Sequence, residues 1–301
     1  MIYTVTFSPA IDYVVDLRTF EIGEINRTVR EFAYPGGKGI NVSMVLANLG
    51  KSSVATGFLG GFTGDFIKSE LKKRNIASGF IEVDGVTRIN VKIRAGRETA
   101  INGQGPHISE EQIEKLISQL EKLGKGDLLV ISGTVPSSLP ADIYEMILER
   151  IKGSGVTLIV DATKEILLNT LKYRPLLVKP NKEELEEMFG VKISDNDELI
   201  LTAKKLLALG AENVIVSLGG DGALLVGQNI EPCLREAPQG KVVNTVGDGD
   251  SLVAGFIDAY VDTHDVRLAF KQGIAAGSAS AFSETLATKE EVEALLKRMD
   301  K

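Results

Sequence analysis

The chain has 301 residues, 44% of them hydrophobic and 25% charged, enough to bury a large core as one large domain or two ordinary ones. Its 34 Lys and Arg against 41 Asp and Glu leave a formal net charge of -7, which argues against nucleic acid or an anionic membrane as main partner, because both require a basic face. A single cysteine, Cys233, and two histidines, His107 and His264, exclude an intrachain disulfide, a cysteine-based metal centre and histidine-rich metal sites.

In chain order, residues 1–7 read as a buried first strand, with neither the basic start nor the long apolar stretch of a secretory signal. No apolar run approaches the roughly 18 residues of a membrane helix, so the expected location is the cytoplasm. Residues 39–49 and 64–75 look helical. They separate two segments, 13–34 and 87–102, that alternate like strands, as in Arg88-Ile89-Asn90-Val91-Lys92-Ile93-Arg94. These predict a small antiparallel sheet inserted into the main domain, serving as a lid over a cleft or as a dimer contact. After residue 105, apolar strands at 127–131, 156–160, 176–178 and 213–217 alternate with helices near 109–123, 141–152, 182–189 and 195–209. From residue 249 to 299 the pattern is mostly helical. The reading is an α/β fold with a mainly parallel central sheet flanked by helices. Its main domain takes residues 1–10, 36–86 and 104–301, and the inserted β lid takes 11–35 and 87–103. Ligands in such sheets bind at the carboxyl ends of the strands.

The most informative loop is Asn244-Thr245-Val246-Gly247-Asp248-Gly249-Asp250-Ser251, which leads into an apolar helix. Consecutive backbone N–H groups at a helix start form an anion site, suited to the charge on a transferring phosphoryl group. A carboxylate there could take a proton from an attacking hydroxyl. Spacing alone favours a plainer reading, in which Asp248 or Asp250 caps the helix. A metal-binding Asp-x-Asp pair has no evident partner ligand. Gly36-Gly37-Lys38-Gly39-Ile40-Asn41-Val42-Ser43 combines close backbone approach with a point charge, yet fits neither a Walker A loop nor a dinucleotide fingerprint. Its alternative is a glycine-rich connection with a solvated lysine. Ser217-Leu218-Gly219-Gly220-Asp221-Gly222-Ala223 reads as a hairpin with Asp-Gly turn chemistry, which could line a nucleotide site. Asn181 and Glu184 fit a capping box, with Glu184 holding Mg2+ through water as the sharper alternative. Arg88, Asn90 and Lys92 share one strand face, either solvated or holding a phosphate.

Together, and in this order, the motifs resemble the PfkB (ribokinase-like) family of carbohydrate kinases over nearly the whole chain. Gly36 to Asn41 match the early signature. Asn244 to Asp250 match the late one, usually Asp-Thr-x-Gly-Ala-Gly-Asp, with Asn244 replacing the first Asp and Asp248 the usual Ala. Ser8-Pro9-Ala10-Ile11-Asp12-Tyr13, Gly57 to Asp65 and Thr87 to Lys92 resemble the branch acting on D-fructose 1-phosphate, with the D-tagatose 6-phosphate branch as sibling. The resemblance implies an ATP-dependent, Mg2+-requiring kinase of a sugar phosphate, with no nucleic-acid or membrane partner and a homodimer possible through the lid. A non-catalytic sugar-phosphate sensor on the same fold is the alternative of another class. Implied roles follow. Asp250 is the general base, and backbone N–H groups of Gly247, Asp248 and Gly249 stabilise the transferring phosphoryl. Asp12, Gly37 and Asn41 bind sugar hydroxyls. Lys38, Arg88 and Lys92, beside Asn90, hold the existing phosphate, with Gln104, Ser132 and Gly133 nearby. Ser217, Leu218, Gly219, Gly220, Asp221, Gly222 and Gly249 contact ATP, Lys179 reaches a phosphate, and Asn181 with Glu184 positions Mg2+. Asp248, two residues from Asp250, is expected to raise its pKa.

Overall fold

In the computed structural model, residues 1–300 are described. The chain opens with β1 (Ile2–Thr6), β2 (Ala10–Asp16) and β3 (Arg30–Gly36), then α1 (Lys38–Asn48), β4 (Ser53–Leu59) and α2 (Gly61–Lys73). Two short strands, β5 (Ala77–Ser78) and β6 (Ile81–Glu82), precede β7 (Arg88–Ala95) and β8 (Arg97–Asn102). Then come α3 (Glu110–Leu120), β9 (Leu128–Ser132), α4 (Ile143–Arg150), β10 (Thr157–Asp161), α5 (Lys164–Thr170), β11 (Leu177–Val178), α6 (Lys182–Phe189) and α7 (Asn196–Ala208). The last part holds β12 (Asn213–Ser217), β13 (Ala223–Gly227), β14 (Ile230–Arg235), α8 (Asp248–Thr263), α9 (Val266–Phe282) and α10 (Lys289–Met299).

The ten-stranded main sheet runs β14-β13-β12-β11-β10-β9-β1-β4-β5, with β6 beside β4. All its pairs are parallel except β12–β13 and β13–β14. Every residue of β9 is buried, because helices cover both faces. Its side chains alternate accordingly. Leu129 and Ile131 join the core under α3 and α4, and Leu128 and Val130 join the core under α1, α8 and α9. The mainly parallel α/β sheet read from the sequence is therefore the observed one.

A second sheet runs β3-β2-β7-β8. It consists of two antiparallel hairpins, β2–β3 and β7–β8, joined by parallel pairing of β2 with β7. That register sets Asp12 beside both Tyr34 and Asn90, and Val14 beside Lys92. Side chains two apart on these strands share a face, so Asp12, Asn90 and Lys92 look the same way.

The carboxyl ends of three neighbouring strands are level. Thr6 of β1 is in register with Ser132 of β9, and Ser132 with Asp161 of β10. The polar end of each apolar strand thus falls on one row, and the functional loops leave from it.

Candidate active site

A cavity of about 540 Å³ lies above this row, lined from the main sheet by Thr6, Ser132, Gly133 and Thr134, and from the small sheet by Asp12, Arg88, Asn90 and Lys92. Gly37, Lys38 and Asn41 enter from the start of α1, and Gly247, Asp248, Gly249 and Asp250 from the start of α8. Lys179, Asn181, Glu184 and Ser217 close a third side.

Helix α8 begins on Gly247, whose left-handed φ of 82° carries no side-chain cap. Neither Asp248 nor Asp250 is the cap that spacing favours; both lie in the first turn. A Cβ on Gly247 would sit 2.7 Å from a methyl of Leu286, so this turn admits only glycine without local movement. The first N–H groups of the helix have no intrahelical partner and belong to residues that line the cavity. Gly249 N–H donates to the Asp248 carboxylate, so one donor expected to serve an anion is already engaged. Burial raises the pKa of Asp248, against the pull of that N–H and of Lys179 and Lys38.

Asp250 is only 5% exposed. Its Oδ2 accepts a hydrogen bond of 2.8 Å from Asn41 Nδ2. Its pKa is pushed up to about 6, first by burial and then by the negative charge of Asp161, against Lys38, the Asn41 bond and Lys179. The neighbouring charge that raises it is therefore Asp161, not Asp248 as its proximity in sequence suggested.

Helix α1 also begins without a side-chain cap, on Gly37 with a φ of 119°. A Cβ there would lie 2.5 Å from Thr6 Cγ2, and one on Gly39 would lie 2.6 Å from Thr6 Oγ1 and Val5 O. The glycines let the helix start press onto the end of β1, which carries Lys38 and Asn41 into the cavity. Lys38 Nζ donates to Asp161 Oδ2 at 3.1 Å. Burial opposes its charge, but Asp161 and Asp250 outweigh that and raise its pKa. The buried Lys179 faces Asp161 Oδ1 at 3.5 Å.

Across the cavity, Asp12 accepts from Asn90 Nδ2 at 2.9 Å and from Lys92 Nζ at 3.1 Å. Arg88 donates to the carbonyls of Ser8 at 3.0 Å and Gly103 at 3.4 Å. Its Nε, with Asn90 Oδ1, Ser132 Oγ and Thr6 Oγ1, is buried without a partner among the described residues. Four such orphans around one cavity are unusual in a folded protein and mark where a polar ligand would satisfy them.

Asn181 and Glu184 form the full capping box at the start of α6, with bonds of 2.9 and 2.7 Å. That engages one Glu184 oxygen and leaves the other for the cavity. Among the described residues no group of three or more His, Cys, Asp or Glu could hold a metal. A Mg2+ ion needs few protein carboxylates when it arrives on nucleotide phosphates with its waters, so this donor set fits it in that form. Two expected contributors lie apart. Gln104 is exposed and lines a separate small recess with Pro106 and Ile108. Leu218 to Gly222 form a tight turn between β12 and β13 outside the cavity lining, which Ser217 at the end of β12 reaches. Thr6, Asn102, Thr134 and Asp161 were missed. Only their places at the ends of β1, β8 and β10, or just after β9 for Thr134, could have signalled them.

An uncapped helix start with a buried carboxylate, facing a small sheet that carries Arg88 and Lys92, is the site of a carbohydrate kinase, a class that takes ATP as cosubstrate. Residues 5–292 match the family described as pfkB family carbohydrate kinase, and the chain belongs to it. It is 48% identical to a 1-phosphofructokinase of Bacillus subtilis over 98% of this chain and 97% of that one. It is 40% identical to a D-tagatose-1-phosphate kinase of Bacillus licheniformis, covering 95% and 94%. The fold matches phosphofructokinase-2 of Escherichia coli in complex with fructose-6-phosphate, with a TM-score of 0.93, 27% identity and coverage of 100% and 99%. That enzyme also has a structure described as its tetrameric inhibited form.

Proposed function

We propose that this protein transfers the γ-phosphoryl group of ATP to O6 of D-fructose 1-phosphate, giving D-fructose 1,6-bisphosphate and ADP, with Asp250 as general base. The observation that carries the reading is the buried Asp250 carboxylate at an uncapped helix start, in a cavity lined by Lys38, Arg88 and Lys92 and by Lys179, Asn181 and Ser217. With a pKa of about 6 it is mostly ionised at neutral pH, yet basic enough to take a proton. The O6–H bond breaks toward Asp250 as O6 attacks the γ-phosphorus, and the bond to the bridging oxygen of ADP breaks. N–H groups at the start of α8 would stabilise the oxygens where charge collects.

On the acceptor side, Asp12, Gly37 and Asn41 would bind sugar hydroxyls, and Lys38, Arg88 and Lys92 the existing phosphate. The orphaned Arg88 Nε supports this assignment. On the donor side, Lys179, Asn181 and Ser217 would bind ATP. Mg2+ bound with the nucleotide would neutralise phosphate charge near Glu184. The small sheet would act as the lid. We assign the enzyme to the cytoplasm, where ATP and sugar phosphates are pooled; among the described residues no helix is long and apolar enough to cross a membrane.

A homodimer through the small sheet goes with this reading. Phe20, Ile22, Ile25 and Val29 in the β2–β3 connection are 42%, 93%, 84% and 58% exposed. These exposed apolar side chains are the surface offered to a partner, while a cavity of about 340 Å³ lies between the inner face of the sheet, through Val14, Phe32 and Tyr34, and the main domain, through Met44 and Leu286. Light scattering should give twice the chain mass, and Ile22→Asp should reduce it to a monomer.

The deciding experiment is an ADP-release assay over D-fructose 1-phosphate, D-tagatose 1-phosphate, D-tagatose 6-phosphate, D-fructose 6-phosphate and free fructose. The highest kcat/KM is expected with D-fructose 1-phosphate. Equal turnover of free fructose would sink the phosphosugar reading. A tagatose phosphate as best substrate is the second reading, favoured by the tagatose-1-phosphate kinase relative.

A further inference from the structure

Asp161 does not line the cavity, yet it holds two residues that do. It ends β10 and is 3% exposed. Its oxygens are divided between two lysines from different parts of the chain: Oδ2 accepts from Lys38 Nζ at 3.1 Å, and Oδ1 faces Lys179 Nζ at 3.5 Å. Lys38 enters from α1 beside Asn41, on the acceptor side. Lys179 lies on the donor side, where a Cβ on Gly249 would come within 3.1 Å of its Nζ. A buried carboxylate is costly unless paired, and so is a buried ammonium. The row of strand ends thus carries a carboxylate that lets two cations stand close together on the cavity wall.

We propose that Asp161 is a positioning residue for phosphoryl transfer, holding Lys38 toward the acceptor's existing phosphate with one oxygen and Lys179 toward the transferring phosphoryl with the other. The proposal rests on the roles given above to Asp250 and the two lysines. Lysine is a point charge on a flexible stem, and an incoming phosphate fixes it only partly. Asp161 supplies the fixed anchor, so each ammonium keeps protons for substrate while its direction is set from below. Charged groups near Asp250 are Lys38 from α1, Lys179 after β11, Asp161 from β10 and Asp248 of its own helix. Removing Asp161 deletes the neighbouring negative charge that makes Asp250 more basic.

The test is a pair of double-mutant cycles in KM. Asp161→Asn should raise KM for D-fructose 1-phosphate and for ATP roughly tenfold or more, the size of a lost charge-assisted hydrogen bond. If Asp161 acts through Lys38, adding Asp161→Asn to Lys38→Met should change the acceptor KM by less than about twofold, and the Lys179→Met cycle should behave likewise for ATP. The acid limb of kcat should move to lower pH in Asp161→Asn and stay in place in Asp161→Glu. Multiplicative losses in both cycles, with an unmoved acid limb, would overturn the proposal. Should Asp161→Asn alone fail to fold, the acceptor cycle is run in the Lys179→Met background, where the buried unpaired cation is gone. Asp250→Asn serves as the control: if it keeps near-normal turnover, the base assignment is what fails, and the KM cycles still decide the role of Asp161.

Discussion

Asn41 and Asp250 are 209 residues apart in sequence and share a hydrogen bond of 2.8 Å. One comes from the first turn of α1 and the other from the first turn of α8, both helices that begin on an uncapped glycine of positive φ. The bond fixes one oxygen of Asp250 and leaves the other for a proton, so the proposed base and the proposed acceptor pocket are joined by one contact.

Replacing Asp250 with Asn keeps the shape and removes the base. Turnover is expected to fall roughly 10²-fold or more, while folding is retained. Stability should move the other way. The folded carboxyl titrates at about 6 against an ordinary 3.8, so the folded state holds its proton longer than the unfolded state. Stability therefore falls as pH rises from about 4 through about 6, and the loss is complete above that. Asp250→Asn should raise Tm at pH 8 and leave it nearly unchanged at pH 4. Near-normal turnover in the variant would remove Asp250 from the reaction.

The same titration governs rate. As pH drops through about 6, Asp250 protonates and kcat should fall with it. Because bound phosphates add negative charge nearby, the acid limb of kcat at saturating substrate should lie at or above that value. Saturation also keeps the second ionisation of the substrate phosphate, itself near 6, out of the measurement. An acid limb below about pH 5 would contradict a buried base.

Arg88 tests the acceptor side. Its Nη groups are held by the Ser8 and Gly103 carbonyls and its Nε points without a partner into buried space. Such a fork presents fixed donors to a phosphate. Arg88→Ala should raise KM for D-fructose 1-phosphate by roughly 10–100-fold, the worth of a charged hydrogen bond or two. Any weak turnover of free fructose should be unchanged. An unaltered KM for the phosphorylated sugar would assign Arg88 to holding the Ser8 loop.

Much of this was legible in the residues. The unbroken apolar strands at Leu128–Ser132 and Thr157–Asp161 announced a sheet covered on both faces, and the alternation through Arg88, Asn90 and Lys92 announced a strand with one functional side. The two glycine loops were visible because close backbone approach leaves glycine little substitute, as at Gly37 and Gly247. Asp161 was invisible. It ends an ordinary strand, and only the register of β10 against β9 and β1 brings it beneath lysines 123 residues away in one case. The glycines of Leu218–Gly222 serve a tight turn, as the sequence suggested; a Cβ on Gly222 would lie 2.1 Å from the Arg235 carbonyl. Local pattern overrated Asp248 as a neighbour of Asp250, because along the first turn of a helix residues two apart point to different sides.

Asp248 offers the sharpest test of that first turn. Its carboxylate takes the Gly249 N–H, one of the donors proposed to face the transferring phosphoryl group, and burial disfavours its charge. A negative group beside a phosphate site repels the ligand it neighbours. Asp248→Ala, the residue more usual at this place, frees the N–H and removes the charge. KM for ATP should fall by a few-fold, about the value of one modest hydrogen bond, and kcat should hold or rise. The effect should be larger at pH 8 than at pH 5, because the raised pKa leaves more of the carboxylate protonated at the lower pH. Loss of activity in Asp248→Ala would mean instead that the carboxylate takes part in holding the nucleotide, as a ligand carried through its bound Mg2+ would require.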